Sequence, residues 1–374
     1  MRRFWAIFYK ECRQVRRDPF TLGILMFMPA LLLALYGYAL SFDVKHIRVA
    51  VLDEDNTPDS RLLLGSLFGN PYFDRAGNLD RRQDADLLLQ RGKARAVLVI
   101  PRGYSKALVR GGDARVQALV DATDANTAST AILYLEALAD RLSRQMQRQR
   151  LRDAGLSAEA PIVTPEPRIW FNPELQSARF LVPGLIGVLM MLSGVVATSL
   201  SIVREKERET IEQIMVSPVK AEELILGKTL PYVLIGIATM AFILLLDRAL
   251  FGVEVRGSFL NLAVTTLLFL FAALGMGVLI SSVTRTQEIA FEIAVLSSLL
   301  PSLLLSGLIF PIKNMPVIVQ TLSYGVVARY FIEALRGIIL KAAPASVLWP
   351  QWAGLLILGV LFNVVAARQA RKTF

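Results

Sequence analysis

The stretch REKERETIEQIMVSPVKAEELILGK, Arg204 to Lys228, lies between two apolar stretches that are each long enough to cross a bilayer. It is too short to bury a hydrophobic core of its own, and it is rich in Arg, Lys and Glu. The segment is therefore predicted to be either a solvated hairpin or a surface on which another protein docks. Which of the two it is decides what the chain does.

The composition places the chain in a membrane. Hydrophobic residues make up 54% of the 374 and the mean hydropathy is +0.49, more than a soluble domain of this length needs. A transmembrane helix needs about 20 consecutive, mostly apolar residues, and six stretches meet that requirement. The predicted spans are Phe20 to Phe42, Phe180 to Val203, Thr229 to Leu246, Phe259 to Val283, Ile289 to Phe310 and Gln351 to Ala367.

The first span, at residues 20–42, follows a basic amino-terminal segment and is predicted to be a retained anchor. Its apolar part is longer than the h-region of a signal peptide, and no small-residue cleavage pattern follows it. Residues 1–19 carry Phe4, Trp5 and Phe8 among arginines, which predicts a cytoplasmic amphipathic helix in the inner headgroup layer. A plain positively charged flank is the alternative.

The lysines and arginines of the short loops predict the orientation. With six spans, the amino end, the Arg204 to Lys228 loop, the turn at Arg285 and the carboxyl tail all fall on one side, so both termini are predicted to be cytoplasmic. The net charge of +10 is then explained by topology and by contact with anionic headgroups. Nucleic acid is not a predicted partner, because the sequence has no basic module interleaved with aromatic residues.

Residues 43–176 differ from the rest because they are polar and of mixed charge. They are predicted to form a separate α/β domain on the outer face of the membrane. Strands are predicted at Ile47 to Leu52, Ala94 to Ile100 and Val116 to Asp121, followed by a long helix from about Ala125 to Arg152. This helix carries one apolar stripe, which is expected to pack on its own sheet, with packing on a partner as the alternative.

Residues 177–374 are predicted to hold spans two to six, and within them residues 311–350 are neither a plain loop nor a span. Their apolar helices are short and are broken by glycine and proline, which predicts a re-entrant or interfacial element. A surface amphipathic helix is the alternative. Arg329, Glu333 and Arg336 have the spacing that allows pairing along one helix.

The sequence has few residues that could serve an intramembrane enzyme as catalytic or metal-binding groups. Its one cysteine, Cys12, and its one histidine, His46, exclude an internal disulfide and disfavour metal and Ser–His chemistry. Gly227 and Lys228 resemble the end of a phosphate-binding loop, but the glycine that the motif needs five residues earlier is replaced by Glu222. No catalytic residue, cofactor site or metal site is therefore predicted in this chain.

Carboxylates inside a span are costly in free energy, and they often have a functional role. Glu292, about one turn from the cytoplasmic end of the fifth span, is the only one that lies clearly inside a predicted span. It is expected to reach the interface or to pair with Arg285, and a proton-relay role is the alternative. The scarcity of buried ionisable groups disfavours a transporter driven by ion gradients.

The Arg204 to Lys228 segment carries the strongest functional signal. Its acidic and basic residues are predicted to cluster on a short helix whose other side shows Ile211 and Ile214, and Pro218 is predicted to end that helix. A charged, amphipathic helix tied to two spans can receive force from a soluble partner and pass it to the membrane helices.

The segments REKERETIEQIMVSPV (204–219) and ELILGKTLPY (223–232) resemble the signature of permeases of the ABC transporter type 2 family. The similarity is to the multidrug-exporter-like branch with a large periplasmic domain between the first two spans, and Glu209 departs from it where that family often has glycine. It covers essentially the whole chain in order. Further matching segments are VLVIPRGYSKALVRGG, VQALVDATDANTA, WFNPEL, FPIKNMP and RYFIEALRGIIL.

The resemblance implies one half of an exporter in a bacterial inner membrane. Two permease copies, identical or closely related, would act with two copies of a separate cytoplasmic ATPase that holds the ATP and magnesium. Residues 204–218 would form the coupling helix, and the domain between the first spans would be a candidate docking site for a periplasmic adaptor. The residues expected to couple to the ATPase are Arg204, Glu205, Lys206, Glu207, Arg208, Glu212, Gln213 and Pro218.

The same resemblance implies that residues 311–341 form an outer re-entrant pair of helices that caps the pathway. The residues expected at this gate are Pro311, Tyr330, Phe331, Glu333, Arg336 and Gly337. The substrate is expected to be hydrophobic or amphiphilic, since the apolar spans suit drugs, lipids and polymer precursors alike. A mechanical transmitter that works a periplasmic partner is the alternative, but transmitters have three spans after the outer domain and five are predicted here.

Overall fold

The computed structural model describes residues 2–39, 46–153, 170–172, 176–208 and 221–373. They fall into two compact units. The helical unit comprises Met1–Ser41 and Arg168–Phe374, and the α/β unit comprises Phe42–Pro167. In chain order the elements are α1 (Arg2–Arg17), α2 (Pro19–Ala39), β1 (Ile47–Asp53), α3 (Pro58–Phe68), β2 (Phe73–Asn78), α4 (Gln83–Gln90), β3 (Ala96–Ile100), α5 (Tyr104–Arg110), β4 (Gln117–Val120), α6 (Ala125–Asp153), α7 (Ser177–Glu207), α8 (Ala221–Phe251), α9 (Phe259–Val283), α10 (Gln287–Leu305), α11 (Val317–Ser323), α12 (Val327–Lys341) and α13 (Ala345–Thr373).

The α/β unit is built on a four-stranded sheet in the order β2-β1-β3-β4. Strand β1 pairs in parallel with β2 and β3, whereas β4 runs antiparallel to β3. Successive side chains of a strand point to opposite faces, so β1 supplies two cores. Val49 and Val51 pack with Leu67 and Ala131 on one face, which places α3 and α6 there. Residues Ala50, Leu52 and Ala85 pack on the other face, which places α4 there.

The helical unit is arranged around α7, whose residues Leu181 to Met191 are all buried. This helix contacts α2, α8, α9, α10 and α12. The packing is close enough to require glycine, because a Cβ on Gly277 of α9 would come within 2.8 Å of the Val195 carbonyl of α7. Small residues at such contacts let two helix backbones approach each other in a membrane.

Within the described residues, six helices are long and apolar enough to cross a membrane. The unit is mainly helical, as the sequence predicts. The helices are longer than some predicted spans, since α7 continues four residues past Val203 to Glu207 and α8 continues past Leu246 to Phe251. The qualifying segments are Leu22–Ala39, Ser177–Glu207, Leu226–Phe251, Phe259–Val283, Gln287–Leu305 and Ala345–Gln369.

One end of the helical unit, which we call the charged end, gathers helix termini that alternate along the chain. Glu205 near the end of α7 contacts Lys228 near the start of α8. Ser282 near the end of α9 donates a hydrogen bond of 2.9 Å to Gln369 near the end of α13. The ends of α7, α9 and α13 therefore lie together with the start of α8.

The opposite end, which we call the far end, gathers the complementary termini. The Tyr38 hydroxyl near the end of α2 lies 3.5 Å from the Leu250 carbonyl near the end of α8. Asn261 at the start of α9 donates a hydrogen bond of 3.4 Å to the Ala343 carbonyl that follows α12. Successive long helices thus run in alternating directions through the helical unit.

Candidate functional site

The last turn of α7 forms the centre of the charged end. It consists of Arg204, Glu205, Lys206 and Glu207, with Arg208 as the C-cap residue. The prediction that these residues start a separate short helix is wrong for the described part, because they continue the long apolar helix without a break. Basic residues in a last turn also suit the negative end of the helix dipole.

A buried cluster of charges ties this turn to two other helices. Glu205 of α7 accepts hydrogen bonds from the ammonium groups of Lys10 on α1 and Lys228 on α8. Glu11 of α1 lies 3.2 Å from the Lys10 ammonium and 3.6 Å from that of Lys228. We call these four side chains the charge quartet. Its two ammonium groups and two carboxylates sum to no net charge.

The quartet is shielded from solvent apart from Lys10. Glu11, Glu205 and Lys228 are 1%, 5% and 3% exposed. Charges this deeply buried are tolerated only when each has partners of opposite sign and hydrogen bonds. The quartet meets that condition through side chains from three distant segments of the chain.

Helix α1 is held against α8 beside the quartet. A Cβ on Gly227 would lie 2.8 Å from the Ile7 side chain, so the glycine is needed for this approach. Both Gly227 and Lys228 belong to helix α8 and not to a loop. Their similarity to the end of a phosphate-binding loop is therefore explained by helix packing and by the buried ion pair.

Two further residues of the turn reach other elements. The Arg204 guanidinium lies 3.8 Å from the Asp18 carboxylate, between α1 and α2. Lys206 donates a hydrogen bond to the Ser281 carbonyl near the end of α9. The last turn of α7 is thus connected to α1 and α9 in addition to α8.

Glu207 and Arg204 connect the same turn to the start of α10. The Glu207 carboxylate accepts hydrogen bonds from the Gln287 amide group and, at 3.4 Å, from its backbone N–H. Arg204 Nε lies 3.3 Å from the Gln287 side-chain oxygen. A displacement of this turn would consequently act on four other helices at once.

Outside the spans, the pKa values of two residues of α1 are shifted near the quartet. Partial burial lowers the pKa of Lys10, but the hydrogen bond to Glu205 and the charge of Glu11 outweigh it and hold that pKa above the ordinary 10.5. Burial, together with the charge of Glu11, raises the pKa of the Cys12 thiol. The thiol is therefore protonated at neutral pH and is a poor nucleophile.

The structure brings together five of the residues expected to couple to a partner, Arg204 to Arg208. Glu212, Gln213 and Pro218 lie outside the described residues. Glu292, which was expected to reach the interface or to pair with Arg285, is exposed on α10 and forms no ion pair with Arg285 within the described residues. Its position on the outside of α10 explains this, since Arg285 precedes the helix in a separate turn.

At the far end, Arg336 of α12 binds main-chain oxygens instead of carboxylates. Its guanidinium donates hydrogen bonds to the carbonyls of Phe180 (3.2 Å), Gly307 (2.8 Å) and Leu308 (3.4 Å). It also lies over the Phe180 ring, 3.8 Å from the centroid. We call this arrangement the Arg336 clasp. It fastens α12 to the start of α7 and to the turn after α10.

Two aromatic residues expected at the outer gate are packing residues of α12. Phe331 is fully buried and stacks on Phe269 of α9, with 3.8 Å between ring centroids. Tyr330 donates a hydrogen bond of 3.0 Å to the Tyr324 carbonyl, and its ring fills the space left by Gly354 of α13. The buried face of α12 thus belongs to the core of the helical unit.

The other expected gate residues lie nearer the surface. Pro311 is exposed and precedes a short 3-10 turn, Ile312–Asn314. The Gly337 carbonyl accepts a hydrogen bond of 3.0 Å from the Ala343 N–H, which closes the end of α12. Glu333 is exposed.

The spacing of Glu333 allows pairing with Arg329 or Arg336, but neither pair occurs among the ion pairs of the described residues. Arg329 instead donates hydrogen bonds to the Ser323 hydroxyl and, at 3.3 Å, to the Gln320 carbonyl. The two arginines bind acceptors from other segments, namely Gln320 and Ser323 of α11 for Arg329 and the carbonyls of Phe180, Gly307 and Leu308 for Arg336. Helical spacing alone could not reveal those acceptors.

Two buried acidic residues were not anticipated from the sequence. Glu11 stands among arginines and lysines, which favoured an orientation toward headgroups. Asp247 of α8 is 1% exposed, and its Oδ1 atom has no hydrogen-bond partner within the described residues. It directly follows the predicted end of the third span at Leu246. No group of three or more His, Cys, Asp or Glu residues in the described ranges is arranged to hold a metal ion.

Comparison with known proteins connects this geometry to transport. A family model of ABC-2 family transporter proteins matches residues 19–368. The chain is 35% identical over 367 residues to "Probable multidrug ABC transporter permease YbhS" of Escherichia coli (strain K12), covering 98% of this chain and 94% of the relative. It is 28% identical over 371 residues to "Probable multidrug ABC transporter permease YbhR" of the same strain, covering 99% of each.

A further relative is "Inner membrane transport permease YhhJ" of Escherichia coli (strain K12), which is 26% identical over 328 residues. That match covers 87% of this chain and 85% of the relative. Each of these relatives has a name that describes a permease, and the alignments extend across both the helical unit and the α/β unit.

Proposed function

The chain belongs to the ABC-2 family of transporter proteins, and from this premise we propose that it is the permease of an ATP-driven exporter. The family identifies it as a membrane subunit of an ABC transporter that works with an ATPase. We propose that the ATPase is a separate cytoplasmic polypeptide, and that this chain holds neither ATP nor magnesium. The substrate that it moves outward is proposed to be hydrophobic or amphiphilic.

The connection of one helical turn to four helices is the observation that carries this proposal. The last turn of α7 contacts α1, α8, α9 and α10. Force delivered to the coupling segment 204–218 by a nucleotide-driven partner would reach these helices through the ion pairs and hydrogen bonds of the last turn of α7. Gly227 and Lys228, which resemble the end of a phosphate-binding loop, lie in helix α8, and Lys228 is occupied in the quartet.

The distribution of charge supports a cytoplasmic location for the charged end. Lys and Arg residues of short loops favour the cytoplasmic side, and the charged end gathers Lys10, Arg204, Lys206 and Lys228 with the basic last turn of α1. We therefore propose that six helices cross a bacterial inner membrane with both termini in the cytoplasm. The α/β unit, inserted between the first two spans, would then be periplasmic.

The proposed direction of transport places the Arg336 clasp at the outer mouth of the pathway. Helices α11 and α12 lie at the far end, where α11 exposes Val317, Ile318 and Leu322. Short helices with exposed apolar residues suit the interfacial region of a bilayer. We propose that they close the outer side of the pathway and that substrate leaves when the clasp region shifts.

The partners of the proposed exporter follow from its surfaces. Helix α10 exposes Ile293, Leu296, Leu300 and Leu304 along one side, and we propose that a second permease, identical or closely related, contributes to covering it. The α/β unit is proposed to bind a periplasmic adaptor. Five long apolar helices follow the α/β unit, which favours an exporter over a mechanical transmitter.

The proposal is tested by reversing the charges of Glu207 and Arg208 together, Glu207→Lys with Arg208→Glu. Both are exposed beside the buried quartet, so the fold is expected to survive. We expect loss of ATPase copurification, or of transport of a labelled amphiphile in liposomes that contain the complex. Unchanged association and unchanged transport would contradict the coupling role.

The matched control reverses an exposed ion pair in the α/β unit, Asp140→Lys with Arg144→Glu, whose charged atoms are 3.0 Å apart. This variant is expected to keep both ATPase association and transport. Normal ATPase association and stimulated ATP hydrolysis without any transport in wild-type liposomes would favour the mechanical transmitter instead.

A further inference from the structure

The strongest feature outside the proposed coupling site is an apolar groove between α8 and α9. It has a volume of about 670 Å³, within the range of ligand sites in proteins. Its walls are made of apolar side chains from two helices that qualify as membrane spans. Leu245 and Phe259 at its edges are 69% and 71% exposed, so the groove opens onto the outer surface of the helical unit.

The mouth of the groove carries one positive and one negative charge. Arg248 lies near the end of α8 and Glu254 lies in the connection to α9, with Arg248 Nη2 and Glu254 Oε1 3.2 Å apart. Their side chains are 71% and 66% exposed. An ion pair this exposed contributes little to folding, so both groups are free to bind a ligand without cost to the core.

The chemistry of the groove selects a zwitterionic amphiphile. Because the groove lies along two proposed spans, the medium around it is lipid, and its apolar wall suits an acyl chain. The guanidinium of Arg248 matches a phosphate, which it binds in a bidentate manner. The carboxylate of Glu254 matches a primary ammonium. A purely anionic headgroup would face repulsion from Glu254, and a purely cationic one would face repulsion from Arg248.

We infer that the groove between α8 and α9 binds a phospholipid whose headgroup carries both a phosphate and an ammonium group. An acyl chain lies along Leu244, Leu262 and Ala263 in the groove. The phosphate contacts Arg248 and the ammonium contacts Glu254 at the mouth. The bound lipid fills the space between the two helices at the far end. This inference does not depend on the ATPase, on the direction of transport or on the substrate.

The test measures lipid bound to the purified full-length chain by native mass spectrometry. Detergent-solubilised protein is titrated with phosphatidylethanolamine, and in parallel with phosphatidylglycerol, which has the phosphate but no ammonium. We expect about tenfold tighter binding of phosphatidylethanolamine, as one extra charge-assisted hydrogen bond provides. Equal binding of the two lipids by the wild-type chain would overturn the inference.

Three variants identify the site. Glu254→Gln is expected to abolish the preference while phosphatidylglycerol still binds, and Arg248→Gln is expected to weaken both lipids. Ala241→Phe places a large side chain in the groove at an exposed position and is expected to reduce binding of both lipids. Retention of the preference in Glu254→Gln, or unchanged binding in Ala241→Phe, would show that the lipid sits elsewhere.

A matched control neutralises an exposed ion pair of similar geometry in the α/β unit, Arg115→Gln with Asp113→Asn, whose charged atoms are 3.3 Å apart. Its lipid binding is expected to equal that of the wild type. A dimer mass that is lost together with lipid binding in Ala241→Phe would instead indicate that a second copy occupies the groove, and would also overturn the inference.

Discussion

The charge quartet at one end of the helical unit and the Arg336 clasp at the other both keep ionised side chains away from water, but they use different partners. In the quartet every charge is satisfied by another side chain, so each member depends on the rest. In the clasp one guanidinium is satisfied by three main-chain carbonyls, which no substitution can remove. The first arrangement is the more sensitive to mutation, and the second fixes the course of the backbone.

The physical reason for this difference is the kind of group that a substitution leaves without a partner. Removal of one carboxylate from the quartet leaves a buried ammonium without a counter-charge, which is strongly unfavourable. Removal of the guanidinium from the clasp leaves neutral carbonyl oxygens, whose desolvation is less costly than that of a charge. The two ends of the molecule should therefore respond to single substitutions with different magnitudes.

The largest effect is expected for Glu205→Gln. This change leaves the ammonium groups of Lys10 and Lys228 with Glu11 as the one remaining carboxylate of the quartet, and breaking a buried pair costs about 3–5 kcal/mol. Thermal denaturation of the purified protein in detergent should show a large fall in the midpoint. The double variant Glu205→Gln with Lys228→Gln should recover part of the loss, and a purely additive double variant would contradict the quartet as a unit.

A smaller effect is expected for Arg336→Lys. The ammonium keeps the positive charge but cannot reach three carbonyls in the planar geometry of a guanidinium, so we expect a loss of about 1–3 kcal/mol. The same denaturation assay measures it. Glu333→Gln on the same helix is the control and should stay within about 0.5 kcal/mol of the wild type. A loss in Arg336→Lys as large as that in Glu205→Gln would erase the distinction between the two ends.

A still smaller change in stability is expected for Glu207→Gln. Glu207 stands two residues from Glu205 in the same turn, but it is exposed, and its hydrogen bonds within the described residues are to Gln287. Exposed polar and ionic contacts are worth less than about 1 kcal/mol. The pair Glu205→Gln and Glu207→Gln therefore separates burial from position in sequence, and similar denaturation midpoints for both variants would show that burial is not what matters.

The smallest effect concerns alkaline pH. The pKa of Lys10 is raised in the folded chain, so its contribution to stability is complete below the ordinary lysine pKa of 10.5 and is lost as the pH rises through the higher folded value. Lys10→Gln should flatten this alkaline part of the stability profile, measured by denaturation from pH 8 upward. Lys106→Gln, an exposed lysine of the α/β unit, should leave the profile unchanged.

The class of the protein could be predicted from the sequence because short, continuous segments are enough to indicate it. Runs of apolar residues predict the long helices. The 204–232 segment carries the family resemblance that the comparisons confirm. Strands β1, β3 and β4 begin and end within two residues of the predicted positions, and in β1 and β3 the runs of buried apolar residues are distinctive. Strand β2 was missed, since Phe73 is its only buried residue and no alternation marks it.

The partners of charged residues could not be predicted in the same way. Glu11, Glu205 and Lys228 come from three segments that meet only in the folded helical unit, and composition indicated headgroup contact for α1 instead. Arg336 binds the carbonyls of Gly307 and Leu308. These carbonyls are available because α10 ends at a turn in which Gly307 is in the left-handed region. Asp247 lies just after the predicted end of the third span. Hydropathy does not reveal how far a helix continues when neighbouring helices bury its polar residues.

The neutrality of the quartet bears on the electrical behaviour of the transporter. Each elementary charge carried across a voltage of 100 mV involves about 2.3 kcal/mol of work. Two lysines and two glutamates that travel together with the ends of α1, α7 and α8 displace no net charge. The quartet itself therefore adds no electrical work to a movement of these helix ends, and any voltage dependence has to come from neighbouring charges outside it, such as Arg204 and Lys206.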